Sequence, residues 1–256
     1  MNLINLFKNL LNLQKKLDID KLPSLGLFYK NDFKVYIKKA DIQDIIEYEY
    51  KYDSDDLGSV INKLKTIVEK NTIFSEGYNF KDIKSIDVVF IFLEIVRFSK
   101  GKAIKLYYID DEYGSEEEIE FGSTYFNYFE LDKDLKKLYD EENRQFIIDD
   151  YKYTLPSIGI ENCLTNYLIS KSDDPNAARF NKYNYDFTFF LGDKKTISFS
   201  EINNLIQIFN FDMEDSEIKK VKNIVKMFQP IQRYSLRRGN KIIEINSKID
   251  LEKIWK

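Results

Sequence analysis

Apolar residues recur at three-to-four spacing in several parts of this chain, which is the period of an amphipathic helix. The first such pattern predicts an N-terminal helix within residues 1–20, and its apolar stripe consists of Leu3, Phe7, Leu10, Leu13 and Leu17. This stripe packs either on its own domain or on a partner, and both alternatives remain open. Similar patterns predict further helices over residues 41–50, 60–68, 82–100, 163–169, 198–209, 215–229 and 251–255.

The period shortens toward two in other segments, as expected for half-buried strands. Strands are predicted over residues 33–38, 104–109, 118–121, 124–131, 146–148 and, as a hairpin around Gly239 and Asn240, 234–245. Strands and helices do not alternate regularly, so we expect an α+β fold with short antiparallel strands and no doubly wound parallel sheet.

Four segments follow from this order of elements, with two helical halves around a central acidic strand region. They are the N-terminal helix over 1–20, a mainly helical domain over 21–102, the acidic strand region over 103–150, and an α+β domain with a basic tail over 151–256.

A short motif occurs twice. Leu-Pro-Ser-Leu-Gly at residues 22–26 is echoed by Leu-Pro-Ser-Ile-Gly at residues 155–159. Proline fixes its own φ and favours extended structure in the residue before it. Gly26 and Gly159 permit a left-handed or tightly bent backbone. The repeat indicates two similarly shaped loops or a chance use of the same turn, and both interpretations stay open.

Composition excludes several kinds of chemistry. The chain has no histidine and one cysteine, Cys163, which rules out histidine catalysis, histidine metal sites, four-thiolate zinc sites and an internal disulfide. It also lacks the glycine-rich phosphate-binding motifs. Adjacent carboxylates such as Asp149 and Asp150 fall in turn-like sequence, where solvated charge is the default. We therefore expect no enzymatic activity, no cofactor and no metal.

Location follows from the same features. A single cysteine favours a reducing compartment. No apolar stretch reaches the roughly 18 residues that span a bilayer, and residues 1–16 do not resemble a cleaved leader. We expect a cytoplasmic protein that does not contact a membrane.

Charge is spread unevenly along the chain. Residues 219–256 contain eleven Lys and Arg against three Asp and Glu, a local charge of +8, whereas the other residues carry −12. This asymmetry suggests an acidic partner for the tail or self-association through the acidic body of a second copy. Nucleic-acid binding by the tail, with Phe228, Tyr234 and Trp255 as stacking residues, is the less favoured alternative because the whole chain is acidic.

Three features together resemble a known family. They are Leu-Pro-Ser-Leu-Gly-Leu-Phe-Tyr at residues 22–29, the strand around residues 35–37, and a helix ending in Val-Arg-Phe-Ser-Lys-Gly at residues 96–101. This pattern resembles the baseplate-hub and hub-assembly proteins of T-even-type contractile-tailed phages, although Arg97 lies one residue closer to Ser99 than in that family. The second Leu-Pro-Ser motif and the Arg-Tyr-containing tail are compatible with the same group.

The resemblance implies a non-enzymatic role in a phage tail baseplate hub, with other tail or baseplate subunits as partners and no cofactor. It places the protein in the host cytoplasm during assembly and in the virion baseplate if it stays in the particle. A retained component and a transient assembly factor are both open. The candidate contact residues are Leu3, Phe7, Leu10, Phe28, Tyr29, Arg233, Tyr234, Arg237, Arg238 and Trp255. Alternatively, the two Leu-Pro-Ser loops are purely structural.

Overall fold

The computed structural model describes residues 14–41, 43–44, 57–109, 113–121, 133–171, 185–208, 213–229, 235–238, 241–244 and 249–250. Within these ranges the chain combines helices with short antiparallel strands in small sheets, which confirms the α+β class. No helix in these ranges is long and apolar enough to cross a membrane.

The α-helices are α1 (Leu57–Lys70), α2 (Val88–Lys100), α3 (Lys133–Lys137), α4 (Ile158–Ser170), α5 (Tyr185–Thr188), α6 (Phe199–Gln207) and α7 (Asp215–Met227). The strands are β1 (Gln14–Lys16), β2 (Val35–Lys38), β3 (Thr72–Phe74), β4 (Ile104–Ile109), β5 (Glu116–Phe121), β6 (Tyr139–Asp140), β7 (Gln145–Ile148), β8 (Tyr151–Tyr153), β9 (Ser235–Arg238), β10 (Lys241–Glu244) and β11 (Ile249–Asp250). Their sheet orders are β1-β2-β3, β11-β4-β5, β6-β7-β8 and β10-β9.

A first core forms around α2, whose sequence is apolar on almost every side. It packs against the apolar face of α1 and against β2, β4 and β5. Alternating residues of β4 face this core, and Leu106 lies opposite Ile119 of β5 in the antiparallel register. Gly101 ends α2 with a φ of 66°, as its sequence position predicts.

The helix predicted from residue 82 begins later, at Val88. Residues 80–82 and 85–87 form two separate 3₁₀ turns instead. The reason lies in long-range hydrogen bonds, because the Ile158 N–H donates to the Ile83 carbonyl at 2.8 Å and the Ser85 N–H donates to the Pro156 carbonyl at 3.0 Å. These backbone groups therefore serve a distant loop and do not continue the helix.

The end of the N-terminal helix predicted within residues 1–20 also differs from the structure. Residues 14–16 form strand β1, antiparallel to β2, with Lys16 opposite Tyr36. Leu17 follows as a core residue, and its N–H donates to the Val35 carbonyl at 2.9 Å. Pairing with β2 thus satisfies backbone groups that a helix would have used internally. Residues 1–13 lie outside the described ranges, as do the predicted strand over 124–131 and the final helix over 251–255.

A second core and a third core complete the packing. The second gathers β7, β8 and α7, and Tyr153 stacks on Phe228 with a centroid distance of 3.9 Å. The third lies between α4 and α6. The region over 103–150 contributes β4 and β5 to the first core and β7 to the second. The strands of this region therefore belong to two different cores.

Other predicted elements occur as expected. The Ser198 and Glu201 capping box starts α6, with both reciprocal hydrogen bonds present. The predicted hairpin strands pair as β9 and β10, with Arg238 opposite Lys241. Strand β11 pairs with β4 and had no signal in the sequence pattern. Asp149 and Asp150 form the turn between β7 and β8, with φ values of 47° and 70°. Both side chains are exposed, as expected for solvated charges in a turn.

Candidate functional site

Both Leu-Pro-Ser loops contact one short segment, residues 83–87. From the first loop, the Ser24 N–H donates to the Asp87 carboxylate at 2.9 Å. The second loop supplies the two backbone hydrogen bonds to Ile83 and Ser85 described above, and Ser157 forms an isolated antiparallel bridge with Lys84. The sequence echo therefore corresponds to two loops that hold the same segment from different sides.

The two glycines of the motif have different roles. Gly26 adopts a left-handed φ of 69°, and a side chain there would also collide with the Asp20 carboxylate. Gly159 is helical, in the first turn of α4, so the expectation of a left-handed or bent backbone holds only for Gly26. At Gly159 the added Cβ would overlap the backbone carbonyl oxygen of Lys195, which means that glycine is needed for close approach of two segments.

Asp87 is the centre of a buried polar cluster. Its side chain is fully buried and accepts hydrogen bonds from the Ser24 N–H at 2.9 Å and the Tyr29 hydroxyl at 2.7 Å. The Tyr29 hydroxyl in turn accepts from the Lys84 N–H at 2.9 Å. Burial raises the pKa of Asp87 to about 6, against the opposing effect of these hydrogen bonds and of the Lys84 charge.

Lys84 is the second unusual residue, since it is only 5% exposed. Burial lowers the pKa of its ammonium group to about 8, while the negative charges of Asp87, Asp193 and Asp82 oppose that shift. Within the described part of the chain, its ammonium nitrogen forms no salt bridge and no hydrogen bond. A buried ammonium without a close counter-charge is costly, so this position is a candidate functional site.

Lys84 lines a cavity of about 270 Å³, which we call the interloop cavity. Its wall combines Tyr29 and Phe33 after the first Leu-Pro-Ser loop, Tyr78 before α2, and Ser157 in the second loop. The turn over residues 193–195 also contributes to the lining. The cavity therefore lies between the two copies of the motif.

The other charges around this cavity are paired with one another. Lys30 contacts Asp193 at 3.2 Å, and Lys195 contacts Asp82 at 2.7 Å. Lys194 contacts Glu201 at 2.8 Å. Three of the four lysines that line the cavity thus have a carboxylate partner, and Lys84 is the exception among the described residues.

The cavity also contains a short hydrogen bond between two side chains. The Tyr78 hydroxyl donates to the Asp32 carboxylate at 2.5 Å. Burial, followed by this hydrogen bond, raises the pKa of Tyr78 to about 12. The same hydrogen bond is the main cause that lowers the pKa of Asp32. Tyr78 therefore stays protonated over the physiological range and holds Asp32 in place.

A second, larger cavity of about 420 Å³ lies beside the first Leu-Pro-Ser loop. Its charged lining includes Lys16, Lys34 and Arg144, together with Asp18 and Asp20. None of these five side chains is buried. Because it holds no desolvated charge, this cavity is a weaker candidate than the interloop cavity despite its size.

The structure places the candidate contact residues Phe28 and Tyr29 in the interior. Phe28 is 5% exposed and belongs to the second core, where its ring lies 5.8 Å from that of Phe146. Tyr29 is 4% exposed, belongs to the first core and stacks on Phe33 at 4.3 Å. These neighbouring residues anchor two different cores, which favours the structural interpretation of the loop over a surface contact.

The remaining candidate contact residues stay predictions. Arg237 and Arg238 belong to strand β9, whose backbone alone is described. The others lie outside the described residues, namely Leu3, Phe7, Leu10, Arg233, Tyr234 and Trp255. Sequence reasoning missed Lys84 and Asp87, although two charges within a mostly apolar run over residues 83–93 were a usable signal.

Comparison of the chain with protein-family models, with curated proteins and with solved structures found no match. Within the described ranges, no group of three or more cysteine, aspartate or glutamate side chains is arranged to hold a metal ion. The interloop cavity is therefore interpreted from its own geometry and charge.

The Asp87 pKa predicts how stability depends on pH. Its pKa in the folded chain is about 6, above the ordinary value of 3.8, so the folded state binds this proton more tightly than the unfolded state. The free energy of unfolding should therefore contain an Asp87 contribution that is present below pH 3.8 and is lost as the pH rises to 6. Urea unfolding of the wild type and of Asp87→Asn between pH 4 and 7 measures it.

The wild-type stability minus that of Asp87→Asn should fall between pH 4 and 6 and then level off. Two curves that remain parallel over this interval would contradict the assigned shift. Lys84 acts in the opposite interval, because its pKa of about 8 lies below the ordinary 10.5 and stability should rise with pH between these values.

Proposed function

We propose that this chain is a non-enzymatic component or assembly factor of a contractile phage tail baseplate hub that acts by binding other tail subunits. The observation that carries the proposal is the resemblance of residues 22–29 and 96–101 to that family. No cofactor or catalytic group is part of it.

The contacts of the motif residues support this proposal. The Ser99 hydroxyl accepts from the Ala40 N–H at 2.9 Å and donates to the Ile95 carbonyl at 2.7 Å. Arg97 forms two hydrogen bonds with Glu94, at 3.0 and 2.7 Å. Ser99 therefore joins α2 to the segment after β2, whereas Arg97 pairs with a residue of α2 itself, and both act as framework residues.

Exposed apolar side chains on α4 and α6 give further support. Ile169 is 69% exposed, Phe199 is 44% exposed, and Phe199 packs edge-on against Tyr167 at 5.4 Å. Exposed aromatic residues are enriched at protein–protein interfaces. A protein that works through subunit contacts needs surfaces of this kind.

Loss of the chain tests the proposal. In cells that produce the phage particle, inactivating its gene should leave tails incomplete when lysates are viewed by electron microscopy. Supplying the wild-type chain should restore them, and so should Asp134→Ala, which removes an exposed ion pair with Lys137. Normal tails in the absence of the chain would contradict the proposal.

Nucleic-acid binding by residues 219–256 is the second candidate function. One feature of the described residues favours it, since α7 exposes Lys219, Lys220 and Lys226. Binding through such lysines would weaken steeply as salt concentration rises, because counterions are released from the nucleic acid. The overall charge of −4 works against it.

A further inference from the structure

We propose that the interloop cavity is a binding site for a single carboxylate group, with the Lys84 ammonium as the positive charge that receives it. The ligand is a monocarboxylate of small size, either a free organic acid or a carboxylate presented by a partner protein. A carboxylate presented by a partner protein rests on the proposed function, whereas binding of a free organic acid does not.

The charge distribution identifies Lys84 as the group that is available. The lysines at the rim already contact Asp193, Asp82 and Glu201, as described above. Lys84 is buried, lines the cavity, and has no such contact within the described part of the chain. Asp87 compensates its charge only through space, because the two side chains form no direct salt bridge in the described part of the chain. A carboxylate in the cavity would give the ammonium group the charge-assisted hydrogen bond it lacks.

The charges that line the cavity favour a ligand with one negative charge over a ligand with two. The lining contains Asp32, Glu76, Asp82 and Asp193, so a phosphate dianion would meet like charges on several sides. A monocarboxylate adds only the charge that offsets Lys84. The aromatic residues Tyr29, Phe33 and Tyr78 would then contact an apolar or aromatic part of the ligand.

The volume limits the size of the ligand. At about 270 Å³ the cavity lies slightly below the range of drug-sized sites, which begins at roughly 300 Å³. It accommodates a benzoate-sized acid, one acidic side chain or the last residue of a chain. Gly159 helps to define this volume, because its lack of a side chain lets the Lys195 carbonyl approach α4.

Calorimetry of the full-length chain with sodium benzoate and with benzamide tests the proposal, since the two probes share a ring and differ in charge. Benzoate should bind and benzamide should bind at least tenfold more weakly. Bound carboxylate should raise the Lys84 pKa from its value of about 8, so benzoate binding at pH 8 should take up about half a proton per site. Titrations in buffers with different ionisation heats measure this uptake in the wild type alone.

Two lysine variants test whether benzoate binds at Lys84. Lys84→Met should weaken benzoate binding at least tenfold, whereas Lys81→Met, an exposed lysine of the same segment that does not line the cavity, should leave it unchanged. Equal binding of benzoate and benzamide, absence of benzoate binding, absence of proton uptake, or wild-type binding by a folded Lys84→Met chain would each overturn the proposal. If Lys84→Met does not fold, the wild-type proton uptake decides.

A peptide distinguishes a free organic acid from a carboxylate of a partner protein as the ligand. Acetyl-Gly-Gly-Phe with a free C-terminus should compete with benzoate whether the natural ligand is an organic acid or a protein carboxylate. The same peptide with a C-terminal amide should not compete. Affinity of the free peptide at least tenfold above that of benzoate identifies a protein carboxylate as the ligand, and equal or lower affinity identifies a small organic acid. Because these titrations use the purified chain, their failure would leave the tail-assembly proposal to its own test.

Discussion

Replacing Asp87 with alanine lowers the free energy of unfolding by about 4 kcal/mol, because two buried donors lose their acceptor at roughly 1–3 kcal/mol each. These donors are the Ser24 N–H and the Tyr29 hydroxyl. The variant also removes the largest of the negative charges that favour the buried Lys84 ammonium, while those of Asp193 and Asp82 remain. Urea unfolding at pH 7, followed by circular dichroism, measures the change.

Two controls make this result specific. Asp87→Asn keeps an acceptor for the Ser24 N–H, so its cost should be about half that of alanine. Asp134→Ala removes an exposed carboxylate whose ion pair with Lys137 contributes little, and it should change stability by less than about 0.5 kcal/mol. A cost below about 1 kcal/mol for Asp87→Ala would mean that Asp87 does not hold the first loop onto residues 83–87.

Replacing Gly159 with alanine should destabilise the protein by about 3 kcal/mol or more, the upper end of the range for overpacked sites. The new Cβ would overlap the Lys195 carbonyl oxygen and lie 3.0 Å from the Lys81 Cβ. The Lys195 backbone cannot move aside by a rotamer change, so the turn over residues 193–195 must shift. Denaturant unfolding gives the magnitude.

Whether Gly159→Ala destabilises or stabilises the protein is itself informative. Glycine-to-alanine changes in an unhindered helix interior stabilise by about 1 kcal/mol. Asn166→Ala, at an exposed position of the same helix, should be neutral or slightly stabilising and serves as the matched control. A stabilised Gly159→Ala variant would show that the second Leu-Pro-Ser loop and the 193–195 turn do not approach each other closely.

Local patterns predicted much of the fold because their signals are complete within a few residues. The alternation in β4 and β5, the stop at Gly101 and the capping box at Ser198 are examples. Each depends on neighbours along the chain and on backbone geometry that its own residues determine. The α+β class follows from the sum of such signals.

Long-range pairing could not be predicted in the same way. Residues 83–87 carry a helical apolar stripe, yet hydrogen bonds from the loop around Pro156 hold them as a turn. Strand β1 likewise exists because β2 lies beside it. In both places a distant segment supplies the partners for backbone groups, and nothing in the local sequence identifies that segment.

The candidate site depends even more on assembly of the chain. Lys84 and Asp87 were visible as charges in an apolar run, but their burial results from the convergence of both Leu-Pro-Ser loops on one segment. The interloop cavity also needs the turn over residues 193–195, more than a hundred positions away. The repeated motif therefore marked two loops that converge on one segment, while the burial of Lys84 and Asp87 became visible only in three dimensions.

Recovery of partners from cells tests the proposed role most directly. A tagged chain would be isolated from cells producing the phage, and mass spectrometry would identify the proteins in the eluate and in purified particles. Subunits of the tail or baseplate should be enriched in the eluate over an untagged control, and presence in the particle would distinguish a component from an assembly factor. An eluate that contains nucleic acid or metabolic proteins and no tail subunits would contradict the baseplate role.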